Sequence, residues 1–149
     1  MVNAFIQPKL PYDPLKDFAP IAVVAQNPLV MAATASLPKR TVAEVVQLAK
    51  NRPGTLNFAS AGVASTAHLQ GELLQLQAVI KLNHIPYKGM GPTMIDLLAA
   101  RTELTCVSWI TIQQQVEQGK IVPIGITSPK RLPSLPNIRP LLKRCLEWS

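Results

Sequence analysis

Aromatic residues are scarce. Two Trp, two Tyr and three Phe make up 5% of the 149 residues, so the core has to be aliphatic, built from Leu, Ile, Val and Ala. Long apolar runs are missing too: none reaches the roughly 20 residues that span a bilayer. Met1 to Pro8 offers neither a charged n-region nor an apolar h-region, so no targeting signal is read there. As written, the chain is expected to stay in the cytoplasm, where it was made. Cysteine is limited to Cys106 and Cys145, too few to argue for either redox compartment. Neither belongs to a CxxC pair, and no second ligand stands at a fixed short spacing from His68 or His84, so no metal site is expected. No cofactor motif is read.

What is present is an ordinary globular composition, 48% hydrophobic and 15% charged. A chain of about 150 residues can bury roughly 70% of its unfolded surface. The net charge is +7, from 15 basic and 8 acidic residues. Such a surface attracts nucleic acid, anionic membrane or anionic small molecules. The basic residues are spread out, however. The densest groups are the pairs Lys39-Arg40, Lys130-Arg131 and Lys143-Arg144, with few aromatics between them for base stacking, and nucleic-acid binding is disfavoured.

Along the chain, residues 1–19 are rich in Pro and charge and read as irregular. Pro20–Val24 and Leu29–Thr34 are short apolar runs that suit buried strands. Thr41-Val42-Ala43-Glu44 is a capping box, after which Val42, Val45, Val46 and Ala49 recur at helical spacing until Pro53-Gly54. Leu56–Ser60 reads as a strand, and a helix follows from about Thr66 to Gln77 with Leu69, Leu73 and Leu76 on one face. The pattern repeats: strand Leu82–Ile85, a helix opened by Gly91 with Pro92 at its first position, strand Glu103–Val107, a short helix capped by Thr111 and ended by Gly119, and strand Ile121–Thr127. This alternation predicts an α/β fold with a mainly parallel sheet flanked by about four helices. In such sheets ligands bind beyond the carboxyl ends of the strands.

Three loops are therefore singled out: Ser60–Ser65, Tyr87–Gly91 and Val107–Thr111. Ser60, Ala61, Gly62, Ser65 and Thr66 lead into a helix N-terminus, where free amides and the helix dipole favour an anion. The plain alternative is a strand-to-helix turn with Ser65 as N-cap. Tyr87, Lys88 and Gly89 combine a hydroxyl, a cation and a pliant backbone ahead of another helix; the alternative is a turn with a solvated Lys88. Ser108 ends the third strand side of the site. His68, three residues after Ser65, is read as bracing the loop by hydrogen bonding. A Ser65–His68 or Cys106–His68 nucleophilic pair is the competing reading, with no GxSxG elbow to support it. Cys106, in an apolar strand-like run, reads as a small buried hydrophobe. No catalytic residue is assigned.

Several segments, in order, resemble one family. They are Tyr12-Asp13-Pro14-Leu15-Lys16-Asp17-Phe18-Ala19-Pro20-Ile21, Phe58-Ala59-Ser60-Ala61-Gly62 with Ser65, His68-Leu69 and Gly71-Glu72-Leu73, and Ile85-Pro86-Tyr87-Lys88-Gly89 with Asp96-Leu97-Leu98. Gly119-Lys120-Ile121, Ile126-Thr127-Ser128 and Arg131-Leu132-Pro133-Ser134-Leu135-Pro136 complete the set. It resembles the Bug-type solute-binding receptors of tripartite tricarboxylate transporters. The resemblance implies one lobe of a type II periplasmic-binding (Venus-flytrap) fold, with residues 1–27 as a lead-in and hinge strand, 28–128 as the ligand-binding lobe and 129–149 as an atypical return segment. It also implies a small carboxylate or related metabolite as ligand, a membrane permease of two integral subunits as partner, a periplasmic location and no bond chemistry. The family usually has a glycine where Ala64 stands, and often an Asp-Asn-like pair where Val107-Ser108 stands. With the first lobe absent, the chain reads as a fragment, from a truncated or frameshifted gene, able to homodimerise through the exposed lobe surface. A ligand-sensing domain of a transcriptional regulator, which would need a helix-turn-helix not found here, and a small Cys- or Ser-dependent hydrolase are the other readings.

Overall fold

Leu29–Thr34 (β1) is apolar at every position but the last, as a strand covered on both faces must be. In the computed structural model, which describes residues 11–13, 16–39, 41–128, 130–131, 133 and 135–141, its side chains alternate between two cores. Met31 and Ala33 join one cluster, Val30 and Ala32 the other. Arg40, Lys143-Arg144 and Cys145 lie outside the described residues.

Helix α1 (Val42–Asn51) begins where expected. Thr41 is its N-cap, with Oγ1 accepting from the Glu44 amide and donating to Glu44 Oε2 at 2.8 Å. Strand β2 (Asn57–Ser60), helix α2 (Thr66–Ala78), strand β3 (Asn83–Pro86), helix α3 (Met90–Leu98), strand β4 (Leu104–Ser108), helix α4 (Trp109–Glu117) and strand β5 (Ile121–Ile126) follow. The sheet order is β3-β2-β4-β1-β5. Val45, Val46, Ala67, Leu74 and Phe58 share the cluster with Met31, whereas Met94, Leu97 and Ile112 share the one with Val30. Helices α1 and α2 thus cover one face and α3 and α4 the other.

Three expectations need correction. β2 runs parallel to β3 and β4, but β1 is antiparallel to both β4 and β5, so the sheet is mixed. Strand–helix alternation does not report pairing for β1, whose neighbours β4 and β5 come much later in the chain, as in Ala33 with Leu104 and Val30 with Ile126. Pro20–Val24 is not a strand: it pairs with none of the five strands, and Ile21, Val23 and Val24 are 100%, 80% and 95% exposed. The helix N-termini also shift. Gly89 caps α3, which puts Pro92 at its third position rather than its first, and Ser108, not Thr111, caps α4.

The buried face of α2 differs as well. It is Ala67, Gly71, Leu74 and Ala78, while Leu76 is 78% exposed. Small residues win because the helix lies directly on the Phe58 ring. A Cβ on Gly71 would sit 2.4 Å from Phe58 Cε1, well inside contact distance. Gly71→Ala is therefore expected to lower stability by about 1–3 kcal/mol, the usual cost of overpacking, despite alanine's higher helix propensity. Urea unfolding of the variant measures it; an unchanged or raised midpoint would contradict the close approach.

Candidate functional site

The carboxyl ends of β2, β3 and β4 lie at one end of the sheet, since the three strands are parallel. The loop after β2 is held from within. Ser60 is fully buried; its hydroxyl donates to Gly62 O at 3.0 Å and accepts from Gly62 N at 3.2 Å. Ser65 N donates to Gly62 O. Gly62 has φ 135° and Ala64 φ 65°, left-handed values at which a side chain costs energy, which gives a physical reason for glycine at the Ala64 position. Ser65 then caps α2, its Oγ accepting from the His68 amide at 3.3 Å. Helix geometry leaves the amides of Thr66 and Ala67 without an intrahelical acceptor.

The second loop is stitched to the first. Tyr87 N donates to Ser60 O at 2.9 Å and Gly89 N to Ala61 O at 3.1 Å, extending the β2–β3 ladder past the strands. Thr93, fully buried on α3, donates to Gly89 O at 2.8 Å and lies 3.2 Å from Ser60 O. Tyr87 Oη donates to Asp96 Oδ2 at 2.6 Å, and Arg101 holds the other carboxylate oxygen at 2.9 Å. The Tyr87 hydrogen bond and the Arg101 guanidinium hold Asp96 below the usual carboxylate range. The same bond raises Tyr87 above its ordinary value, because ionisation would set two anions side by side. Lys88, in this second loop, is exposed.

The structure thus brings Ser60, Ala61, Gly62, Ser65, Thr66, Tyr87, Lys88 and Gly89 to one end of the sheet. Ser108 lies at that end too, as the cap of α4, with its hydroxyl donating to Asn27 Oδ1 at 3.1 Å. His68 Nδ1 accepts from Ala64 N at 3.1 Å. Its ring stacks on His84, with centroids 4.1 Å apart, and His84 Nε2 is 2.7 Å from Ser60 Oγ. His84 and Thr93 were not singled out from the sequence. Strand alternation could have flagged His84, because the register pairs it with Phe58 and so turns it toward α2. Cys106 is buried and its thiol is pushed up to about 12 by desolvation, which removes it as a nucleophile near neutral pH.

One other feature stands apart from this site. A groove of about 400 Å³, lined by Lys50, Pro53, Leu76 and Lys81 among others, opens at the opposite end of the sheet, beside the C-termini of α1 and α2. Among the described residues no three metal-ligating side chains cluster, and no helix is long and apolar enough to cross a membrane.

A sheet layered between helix pairs, with two helix N-termini meeting at one end of parallel strands, defines a lobe of the periplasmic-binding class. The chain belongs to the tripartite tricarboxylate transporter family receptors, whose pattern it matches over residues 1–146. It is 33% identical over 138 residues to the UPF0065 protein in the tcbD-tcbE intergenic region of Pseudomonas sp. strain P51, covering 93% of this chain and 41% of that one. Among solved structures it is similar to Rpa4515 of R. palustris with adipate (TM-score 0.81, 32% identity, 91% of this chain and 46% of that one). It is also similar to the periplasmic binding protein BugD (TM-score 0.73, 31% identity, 78% and 39%). The chain spans less than half the length of these relatives.

Burial, and then the neighbouring His68, hold the His84 imidazole below its ordinary value of 6.5, with Glu72 opposing. The unfolded chain therefore binds this proton more readily than the folded one, so stability rises with pH across the imidazole range. Stability is expected to be full above about pH 6.5 and to fall as the pH drops through the lower folded-state value. Thermal melts at about pH 7.5 and about pH 5.5 should differ in the wild type and differ less in His84→Gln. An equal midpoint at both pH values would refute it.

Proposed function

We propose that this chain supplies one wall of a carboxylate site in a periplasmic solute receptor, which delivers its ligand to a membrane permease of two integral subunits and carries out no bond chemistry. The observation that carries the reading is the meeting of the N-termini of α2 and α3, stitched through Gly89 N to Ala61 O at 3.1 Å, with Lys88 exposed in the loop that leads into α3. Two positive dipole ends and one cation on a single rim suit an anion. That the R. palustris relative was solved with adipate supports a dicarboxylate.

The internal hydrogen bonds decide which groups remain for a ligand. The amides of Gly62, Tyr87 and Gly89 and the hydroxyls of Ser60 and Tyr87 are committed within the protein. The donors left are the Ser65 and Thr66 hydroxyls, the Thr66 and Ala67 amides and the Lys88 ammonium. Each charge-assisted bond contributes roughly 1.5–3 kcal/mol, against an association cost on the order of 4–15 kcal/mol. One open wall is therefore expected to bind in the millimolar range, since about 4 kcal/mol net corresponds to millimolar affinity.

Titration of the labelled chain with adipate should move amides at 61–66 and 88–92, and Lys88→Ala should weaken binding about tenfold, equivalent to roughly 1.4 kcal/mol. Shifts confined to Lys39-Arg40 and Lys130-Arg131 would mean charge screening alone and would overturn the site. The exposed apolar strip containing Phe18, Ile21, Val23 and Val24 is the surface through which two copies of the chain are expected to associate. Sedimentation should show a concentration-dependent dimer; a strict monomer throughout would rule it out.

A further inference from the structure

His68 and His84 are the chain's two histidines, and one nitrogen of each reaches the loop that opens α2. His68 Nδ1 accepts from Ala64 N at 3.1 Å, so it must carry no proton. On the other side, His84 Nε2 lies 2.7 Å from the buried Ser60 Oγ, the atom that grips Gly62 through both its amide and its carbonyl. With the Ser60 proton given to Gly62 O, the His84 nitrogen has to be the donor. The bonds at Ala64 N, Ser60 Oγ and Gly62 are then all made when both rings are neutral and both carry their proton on Nε2.

We propose that the stacked His68–His84 pair is a pH-sensitive clamp on the 61–65 loop, in which His84 acts through Ser60 as a positioning residue for the ligand wall. Protonating His68 places a hydrogen on Nδ1, facing the Ala64 N–H it had accepted from, and that bond is lost. Ala64 already sits at φ 65°, so the loop loses the contact holding it in an unfavourable conformation. Protonating both rings sets two cations face to face at 4.1 Å. The groups facing the pair are few. On α2, Glu72 Oε1 lies 3.6 Å from His68 Nε2. β2 contributes the uncharged Ser60 and Phe58. A fall in pH is therefore read by this pair and passed to the loop at Gly62 and Ala64. The consequence for ligand rests on the carboxylate reading of that loop; the clamp on the loop itself does not.

The test is an NMR titration of the ligand-free chain from about pH 8 to about pH 5, across the imidazole range. The two ring signals are expected to titrate, and the amides of Gly62 and Ala64 to shift at the same inflections, while those of Lys50 and Asn51 stay still. In His68→Gln the Ala64 transition should vanish while His84 still titrates. His84→Gln, which keeps a donor to Ser60 that cannot titrate, should remove the inflection at Gly62. Loop amides in the wild type that ignore both imidazole inflections overturn the clamp, a reading that needs no variant to fold. Adipate added at about pH 7.5 separates the two ideas. Loop amides that follow the imidazoles but not adipate leave the clamp standing and remove the carboxylate assignment. Adipate shifts with pH-insensitive loop amides sink the clamp alone.

Discussion

The parallel register of β2 against β3 sets Ser60 beside Pro86 and Phe58 beside His84, and the candidate site depends on that pairing. The first match lets the two loops continue the ladder beyond the strands, through Tyr87 N to Ser60 O and Gly89 N to Ala61 O. The second turns His84 toward α2, where it meets His68. A slip of one residue would send His84 to the opposite face of the sheet and would break both the stack and the bond to Ser60.

Packing of α2 protects that register. The helix lies so close to β2 that Gly71 has no room for a Cβ against Phe58, and its buried face is made of small residues with one leucine, Leu74. Burial of an aromatic or Leu side chain contributes about 1.5–3 kcal/mol, so Phe58 and Leu74 anchor the strand and helix that carry the two sides of the loop. The same closeness sets the N-terminus of α2 at the end of β2.

Polar groups at this end of the sheet fall into two sets. Buried ones, Ser60 and Thr93, spend their hydrogen bonds on the loops and on His84; leaving any of them unpaired would cost about 1–3 kcal/mol. Rim groups, Ser65, Thr66 and Lys88, keep donors that face outward. Tyr87 joins the first set, since its hydroxyl proton goes to Asp96. The division follows burial, and it makes the loop conformation part of the scaffold before any ligand arrives.

The sequence by itself determined the element order, because helical and strand periodicities and the Thr41, Ser65, Pro53-Gly54 and Gly119 signals are local. It also marked the two loops, whose small residues and helix-opening positions are readable without a fold. Only the tertiary structure decided the direction of β1, since its partners β4 and β5 come from distant parts of the chain, and left the apolar run Pro20–Val24 unpaired and exposed. The buried face of α2 was hidden for a related reason: Leu69, Leu73 and Leu76 carry the apolar signal, but the Phe58 ring demands glycine and alanine. Strand alternation hints at the face His84 takes, but its role rests on a cross-strand register and a stacking partner on another element. Contacts of that kind depend on distances across the fold, which the spacing of residues along the chain does not encode.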